Sequence, residues 1–525
     1  MNESTELNNA AIPLSKAKKW VVLLTLMMLG FVTSYVIISR ATFLPVVMAE
    51  FEAMQFYALV SVAGLLSVSM ALPIAGKLGD LYGRRAVLCA ALLLFAASCI
   101  LTGAASNAFL FILGIFLCGL GHGSATSSIK TLVADVCATS ERPKIQGYFG
   151  VLENGSQLAG PVLGGLMADF LNWRWVYFLC APLLFLGLVI IYRALPPARA
   201  GVRKKVSIDF AGLLAFIVVL PPFLVLLSMG GSAIPWFSGT SYLLAGISVL
   251  GFIALILIER KAPEPMIPLT LFGDAVFRRA FLVAFLSHTA SSFMNFFALY
   301  LQNVRGLSSS VTGTLQLPRG IVTVLIVGFV GFLISKTHRY RLVIIMESGA
   351  LLIGSLMFLA FTPDSSLALF VLSTVLNGLG MGGLAVCFIT YVQGTVAPKN
   401  IGAASSLVIF SISFGQSIGS AVCGMFVNQA WAKAPSLIPQ AVRAALSEEH
   451  FALLVNQATL QSAETISQIR SALPAELFPV FDDMIFSLRV QLMQGLKGFN
   501  LFCAAAAALA IFFAFRLSDK AAKTN

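Results

Sequence analysis

The sequence predicts an all-α protein that crosses a membrane many times, and three observations support this fold class. Of the 525 residues, 58% are hydrophobic and only 11% are charged, whereas a soluble domain usually carries about a quarter charged residues. Apolar stretches long enough to cross a bilayer recur along the whole chain. Basic residues cluster in the short segments between these stretches. A bilayer is therefore the solvent that fits the composition.

A membrane-spanning helix needs roughly 20 apolar residues, and about fourteen segments of this chain satisfy that requirement. The first segment follows Lys16, Lys18 and Lys19. It carries no charge from Trp20 to Ser39, which is too long for a cleaved signal peptide. The predicted spans are 20–47, 55–76, 86–105, 108–133, 146–170, 174–194, 208–229, 239–258, 279–302, 310–335, 341–361, 366–395, 401–428 and 497–516.

The basic residues between the spans predict the orientation, because loops rich in Lys and Arg stay on the cytoplasmic side. If residues 1–19 are cytoplasmic, the basic loops fall on the same side, and an even number of spans returns the tail 517–525 there. These loops contain Arg84 and Arg85, Arg142 and Lys144, Arg199 to Lys205, Arg260 and Lys261, Arg278 and Arg279, and Lys336 to Arg341. We expect an integral plasma membrane protein, in a bacterial inner membrane, with both termini in the cytoplasm.

The charges and the cysteines argue against other function classes. The net charge of +12 comes from these separate loop clusters, so we expect no nucleic-acid partner. The eight cysteines lie mostly inside apolar stretches without a CxxC pair, which predicts neither disulfides nor a metal site. No metal-ligand helix, phosphate-binding glycine loop or soluble catalytic domain is recognisable in the sequence. We therefore do not expect an enzyme, and a membrane-embedded enzyme or sensor is only a remote alternative.

The chain contains a weak internal repeat. The segments GLGHG at 119–123 and GLGMG at 378–382 are 259 residues apart (378 − 119 = 259). Two further pairs follow in the same order at nearly the same offset: 160–165 with 419–424, and 76–84 with 331–339. Two parallel six-helix halves, each an inverted repeat, are an arrangement known in secondary transporters. The repeat therefore pairs spans 1–6 with spans 9–14.

This pairing predicts the domain organisation. A first six-helix bundle covers 20–194, a basic linker covers 195–207, two inserted membrane helices cover 208–258, and a second bundle covers 279–516. Within the second bundle, residues 429–496 form a long outer loop with apolar residues at helical spacing. We expect one or two amphipathic helices there, packed on the outer face, with a docking surface for a partner as the alternative.

The residues GKLGDLYGRR at 76–85 and GPVLGG at 160–165 resemble two signature motifs of the fourteen-span drug:proton antiporter family, within the major facilitator superfamily. The resemblance covers nearly the whole chain and implies a major facilitator fold with two inserted helices. It implies proton-coupled export and a cytoplasmic gate motif, formed by Gly76, Asp80, Gly83, Arg84 and Arg85. It also implies an antiporter motif that acts as a kink and a helix contact, formed by Gly160, Pro161, Gly164 and Gly165.

Two motifs depart from the family pattern. The family usually carries an Asp in span 1, where this chain has apolar residues near Val36 and a basic Arg40 instead. The family's span-4 motif has an Arg three residues before a Gln-Gly pair, and here Ile115 and Cys118 take the Arg and Gln positions, before Gly119. Both departures remove groups that the resemblance links to proton coupling.

Ionisable and amide side chains inside spans are costly and point to function. The candidate proton and substrate site consists of Arg40, His122, Lys130, Glu153, His288, Asn295, Arg319 and Asn377. All lie on spans that the repeat places around a central cavity.

Each charged candidate has an alternative interpretation. Arg40 could bind an anionic substrate group, or pair with Glu153 or with lipid headgroups. Glu153 is the candidate proton carrier, or else it forms a salt bridge with Lys130 or Arg40. His288 can titrate near neutral pH, although a single His in a span is more often a packing residue. Arg319 follows a proline and could instead bond to freed carbonyl groups. Glu347 lies on a peripheral span, where we expect a nearby Arg to pair with it.

The leading hypothesis is a secondary transporter that exports drug-like or amphipathic small molecules by alternating access. The proton gradient is its expected energy source, and no cofactor is expected. The alternative is a transporter of an anionic metabolite that uses Arg40 and Arg319 as charge partners. The expected partners are the small-molecule substrate and the bilayer. The resemblance adds a periplasmic adaptor protein, which the sequence itself does not show.

Overall fold

The computed structural model describes residues 15–137, 142–196, 210–230, 234–262, 269–396 and 401–519. Fourteen long helices dominate these ranges. They are α1 (Lys16–Glu50), α2 (Tyr57–Tyr82), α3 (Arg84–Gly103), α4 (Ala108–Val136), α5 (Arg142–Phe170), α6 (Arg174–Ala194), α7 (Phe210–Met229), α8 (Gly239–Lys261), α9 (Ala275–Ser291), α10 (Leu317–Thr337), α11 (Tyr340–Leu359), α12 (Leu367–Met381, continued after a break as Leu384–Gln393), α13 (Ile401–Trp431) and α14 (Phe478–Ala514).

Several helices are irregular. Helix α9 continues to Val304 through a 3-10 turn, a short α turn and a π turn. The short helix Ser309–Thr314 precedes α10. Twelve segments of the described chain are long and apolar enough to cross a membrane. The other two long helices, α5 and α7, pack within the same bundle, α5 along α1 and α7 along α8. The predicted all-α, polytopic membrane fold is therefore confirmed.

The last helix is longer than the sequence suggested. Helix α14 begins at Phe478, whereas the apolar stretch predicts a start at 497. Its first turns carry Asp482, Asp483 and Arg489, so a search for apolar residues overlooks them. The connection from α13 consequently covers only 432–477.

This connection is helical throughout much of its length. It contains three short α-helices rather than the one or two expected, and their buried apolar side chains pack against the bundle. The helices are Gln440–Ala445, Glu448–Val455 and Ala463–Ser471. We call the end of the bundle that carries 432–477 the loop face, and the end where α1 begins the terminal face.

The two halves have the same packing pattern. In the first half α1 contacts α5 and α6, α4 contacts α2 and α3, and α3 contacts α6. In the second half α9 contacts α13 and α14, α12 contacts α10 and α11, and α11 contacts α14. Each of these five contacts in the first half has its counterpart eight helices further along, which is the arrangement of a major facilitator fold.

The repeated glycines explain why these helices approach so closely. A Cβ atom on Gly119 would lie 2.7 Å from a backbone oxygen of α2, and one on Gly121 would lie 2.6 Å from Phe95 of α3. In the second half, a Cβ atom on Gly378 would lie 2.7 Å from the Arg319 oxygen of α10, and one on Gly380 would lie 2.8 Å from the Glu347 oxygen of α11. Small residues let helix backbones approach in this way.

The halves meet at the loop face along three seams, where α2 contacts α13, α5 contacts residues 309–314, and α1 contacts the continuation of α9. Hydrogen bonds cross each seam. Asn428 donates to the Gln55 carbonyl (3.1 Å), Ser310 N donates to Asp169 (2.7 Å), and Gln302 donates to the Thr42 carbonyl (2.6 Å). The structure is therefore closed on the loop face.

The two inserted helices lie beside the first seam. Helix α7 packs against α2 and α13, and α8 packs on α7.

Candidate functional site

A cavity of about 210 Å³ lies between the two halves, just below the closed loop face. Helices α1, α2 and α5 line it from the first half, and α9, α10, α12 and α13 line it from the second. Its polar and charged lining residues are Arg40, Ser61, Gln157, Asn295, Gln316, Arg319, Thr323 and Gln416. The remaining lining is apolar or glycine, so the cavity combines an apolar wall with hydrogen-bond donors.

Arg40 projects from α1 into the first-half side of this cavity. Its side chain is almost fully buried, with 6% exposed, and its Nη1 has no hydrogen-bond partner in the described part of the chain. The guanidinium lies against Gly64 of α2, where a Cβ atom would come within 2.7 Å of both terminal nitrogens. Glycine at this position is what makes room for the arginine. No carboxylate with a described side chain forms an ion pair with Arg40.

Arg319 lies on the opposite side of the same cavity, in the first turn of α10. The Sδ atom of Met381 is 4.0 Å from its Nη2 and is the only partner of this guanidinium among the described residues. The expectation that Arg319 bonds to carbonyls freed by the neighbouring proline is therefore not met in the structure. Two guanidinium groups face one small cavity, and no described acid neutralises either of them.

Four amides surround the arginines. The Asn295 side-chain amide donates to the Ser420 hydroxyl (3.3 Å), and the backbone carbonyl oxygen of Asn295 accepts from the Tyr57 hydroxyl (3.4 Å). Gln316, in the turn before α10, makes a long hydrogen bond to the Thr312 carbonyl of the short helix Ser309–Thr314 (3.5 Å). Sequence reasoning selected Asn295 but missed Gln157, Gln316 and Gln416. The signal that could have found them is an amide inside an otherwise apolar span.

A second, larger cavity of about 510 Å³ lies between the halves toward the terminal face. Its walls come from α1, α4, α5 and α12 and include Met27, Phe31, Phe149 and Ile389. Lys130 lines this cavity rather than the central one. The two cavities together occupy the space between the halves at different depths.

Three predicted site residues lie inside one half and line neither cavity. The His122 ring packs beside Phe95, with ring centroids 6.4 Å apart. His288 is bonded through Nδ1 to the Ala284 carbonyl (2.9 Å), and Asn377 donates to the Ser291 carbonyl (3.5 Å). Their helices do surround the cavity, but these side chains point to the neighbouring helix of their own half.

Glu153, Gly76 and Asp80 fall on helices α5 and α2, but their side chains lie outside the described residues. The rest of the gate motif is described. Gly83 has a φ of +89° at the junction of α2 and α3, a conformation that favours glycine. Arg84 pairs with Asp135 at the end of α4 (2.5 Å), and Arg85 donates to the Tyr192 carbonyl of α6 (2.6 Å). Both arginines therefore fasten α3 to other helices of the first half.

The glycines of the antiporter motif lie on two faces of α5, and each face packs against a different neighbour. A Cβ atom on Gly160 would lie 2.9 Å from Ile38, and one on Gly164 would lie 2.8 Å from Ser39, so these glycines face α1 of the same half. A Cβ atom on Gly165 would lie 2.3 Å from the Ser309 oxygen of the other half. Pro161 lies inside α5 and also lines the central cavity. The motif therefore forms the seam between α5 and residues 309–314.

Glu347 has a different environment from the one expected. No arginine pairs with it among the described side chains. It is 5% exposed, and its Oε1 accepts a hydrogen bond from the backbone N–H of Gly383 (2.7 Å). Gly383 lies in the break of α12. Its backbone N–H group, rather than a cation, is the partner of the Glu347 carboxyl group.

The comparisons with known proteins agree with this architecture. Residues 25–420 match the profile of the Major Facilitator Superfamily. The chain is 29% identical to the multidrug transporter protein MdtP of Bacillus subtilis over 392 residues, which cover 74% of this chain and 71% of that protein. It is 28% identical to multidrug resistance protein 3 of the same organism, covering 73% and 75% respectively.

Solved structures show the same fold at lower sequence identity. An inward-facing, unoccupied bacterial homologue of the human lysosomal transporter Spinster superimposes with a TM-score of 0.62 at 17% identity. The match covers 96% of this chain and 98% of that one. With the profile match, the relatives and the repeated packing of the two halves taken together, the chain belongs to the Major Facilitator Superfamily.

Proposed function

We propose that this membrane transporter exports amphipathic small organic molecules that carry an anionic group, by alternating access to the central cavity. One observation carries the proposal: Arg40 and Arg319 face the same cavity, and no described carboxylate pairs with either. The apolar wall would hold the body of the substrate, and the guanidinium groups would hold its anionic end.

The energetic argument concerns the Arg40 charge. Burying an ion is costly unless a partner and hydrogen bonds compensate it. The almost fully buried Arg40 has a free Nη1 donor among the described residues, and an anionic substrate would supply the missing acceptor. Guanidinium groups bind carboxylates and phosphates through paired hydrogen bonds, so either headgroup chemistry suits the site.

The closed loop face supports the alternating-access part of the proposal. In this state the substrate would enter through the second cavity, toward the terminal face, which we propose to be cytoplasmic. Release would require the three seams of the loop face to open. We propose the proton gradient as the energy source, with Glu153 as the carrier suggested by the sequence.

A second candidate is export of neutral or cationic lipophilic compounds. It is favoured by the names of the relatives, which are multidrug transporters, and by the largely apolar second cavity. The two candidates differ in the charge that the transported molecules should carry.

Transport by purified protein in liposomes distinguishes them. The probes are fluorescent amphiphiles with one common apolar body and a carboxylate, an amide or an ammonium end. Loss of one buried charge-assisted hydrogen bond costs about 1.5–3 kcal/mol, so Arg40→Gln and Arg319→Gln should each raise the KM for the carboxylate at least about tenfold. The KM for the amide should change little.

Arg470→Gln is the control, because Arg470 forms an exposed ion pair with Asp482 and lines neither cavity. Equal transport of all three probes by the wild type, or an unchanged carboxylate KM in both cavity variants, would favour the second candidate. Collapse of carboxylate export on addition of an uncoupler would support the proton gradient as its energy source.

A further inference from the structure

We propose that Glu347 is a proton-binding site that controls the break in α12 and thereby links protonation to the central cavity. This inference rests on the proposed proton-driven transport and concerns a residue outside both cavities. It assigns a role to the GLGMG segment of the second half, which the gate and antiporter motifs do not explain.

The first observation is an incompletely satisfied buried carboxyl group. Glu347 is 5% exposed, and its Oε1 accepts from Gly383 N at 2.7 Å. Its Oε2 has no partner, and within the described chain no Lys, Arg or His forms an ion pair with this group. An ionised carboxyl group without a counter-charge is expensive in an apolar site. Uptake of one proton on Oε2 would remove that charge.

The second observation is the break itself. Helix α12 stops at Met381 and resumes at Leu384, which leaves Gly382 and Gly383 between the two pieces. A Cβ atom at Gly383 would lie 2.6 Å from the Glu347 Oε1 and 2.5 Å from Val330. Glycine is therefore needed at this position for the carboxyl group to reach the backbone. The carboxylate holds the amide that an unbroken helix would bond internally.

The third observation connects the break to the cavity. Met381, the last residue before the break, lines the central cavity and contacts Arg319. A Cβ atom at Gly382 would lie 3.1 Å from the Thr323 oxygen of α10, and Thr323 lines the same cavity. Any change in the geometry of the break would therefore move groups that surround the proposed substrate site.

The titratable groups on the surrounding helices do not provide a counter-charge. On α12, the Cys387 thiol donates to the Tyr340 carbonyl of α11 (3.7 Å). On α9, the His288 Nδ1 is already bonded to its own helix. On α10 the charged residues are Arg319, which contacts Met381, and Lys336, whose ammonium group lies over the Phe332 ring; on α14 Cys503 contacts α9. Glu347 is thus the acidic group of this cluster. Proton-driven export requires Glu347 to take up a proton while the loop face is open and to release it toward the terminal face when the loop face is closed.

The test uses Glu347→Gln, because glutamine keeps an oxygen for the Gly383 amide but cannot bind a proton. Liposomes containing the full-length protein receive the carboxylate amphiphile. Counterflow without any gradient measures transport alone, and accumulation under a gradient of about one pH unit measures coupling. One coupled proton allows about tenfold accumulation under these conditions. The variant should keep counterflow and lose this accumulation, whereas the exposed control Glu464→Gln should keep both.

The outcomes separate the two proposals. Absence of counterflow in the wild type would refute the transport of this probe, whereas wild-type counterflow with undiminished accumulation in Glu347→Gln would overturn only the role of Glu347. A second measurement does not depend on the variant's folding. Hydrogen exchange of the wild-type segment 380–393, corrected for the intrinsic effect of pH, should increase when Glu347 is protonated. No pH-dependent change in that segment would also overturn the inference.

Discussion

The closed loop face depends on a backbone contact that a single methyl group should break. A Cβ atom at Gly313 would lie 2.1 Å from the carbonyl oxygen of Pro161 and 2.7 Å from its carbon. Both partners are backbone, so neither can move away by changing a rotamer. Since ordinary contact begins at 3.4 Å, Gly313→Ala requires the two halves to separate here by 1.3 Å (3.4 − 2.1).

The magnitude follows from what such overpacking costs in proteins. Forcing an extra methyl group into a tight contact costs about 1–3 kcal/mol. Only the closed state contains this contact, so the whole cost would fall on that state. A free-energy difference of this size changes the ratio of closed to open molecules roughly 5- to 150-fold.

Distances between spin labels at Leu171 and Val480 would measure this ratio, because both residues are exposed at the loop face, one in each half. Gly328→Ala in α10 is the matched control, since a Cβ atom there has nothing within 4 Å. Gly313→Ala should populate a longer distance that the control does not show. The same distance distribution in both variants would refute the reasoning, and so would a shift toward the shorter distance.

Two further predictions concern stability and the thiols. Glu50→Gln should lower the free energy of unfolding by about 1 kcal/mol, because Glu50 binds both Arg174 (2.7 Å) and the Trp173 ring N–H (2.6 Å). In detergent, the Glu50→Gln variant should therefore have a lower Tm than the Asp482→Asn variant. Equal Tm values for the two variants would contradict this prediction. All eight cysteines are free and seven are buried, so thiol titration should reach eight equivalents only after denaturation. A reducing agent should leave the Tm unchanged. A Tm lowered by reduction would reveal a disulfide and contradict the prediction.

Much of the fold could be predicted from the sequence because the closest helix contacts require glycine. The repeated glycines at 119–123 and 378–382 lie where α4 and α12 touch their neighbours, and the GPVLGG motif lies where α5 touches α1 and the other half. The positions where helix backbones approach closely can therefore be recognised in the sequence as glycines. The charges of the loops and the lengths of the apolar stretches supplied the remaining information.

The candidate site was less predictable because charged side chains select partners that are distant in sequence. The sequence assigned Arg84 to the gate motif but did not indicate its described carboxylate partner, Asp135, which is 51 residues away. Glu347 was expected to pair with an arginine, and it binds a backbone amide instead. A sequence identifies which helix carries such a group, but the direction of the side chain depends on helix rotation. His288 lies on a cavity helix and still faces its own half for that reason.

The departures from the family pattern acquire a physical meaning in the structure. Val36 and Arg40 are four residues apart on α1 and therefore lie on the same side of the helix. Both are buried, with 1% and 6% exposed. An acid at position 36 would lie one turn from the guanidinium and could neutralise it, whereas valine leaves that charge available to another anion. Ile115, the replacement in span 4, is likewise buried and apolar.

Under the proposed function, the sign of the cavity charge would restrict which molecules the site accepts. At an effective dielectric constant of about 20, two like charges about 4 Å apart repel by about 4 kcal/mol. Burying one methylene group contributes only about 0.8 kcal/mol, so roughly five additional methylene groups would be needed to offset that repulsion for a cation. An anion would gain attraction from the same arginines. Under the proposed function, export of molecules whose apolar body ends in an anionic or neutral polar group would therefore suit this cavity, and lipophilic cations would be disfavoured.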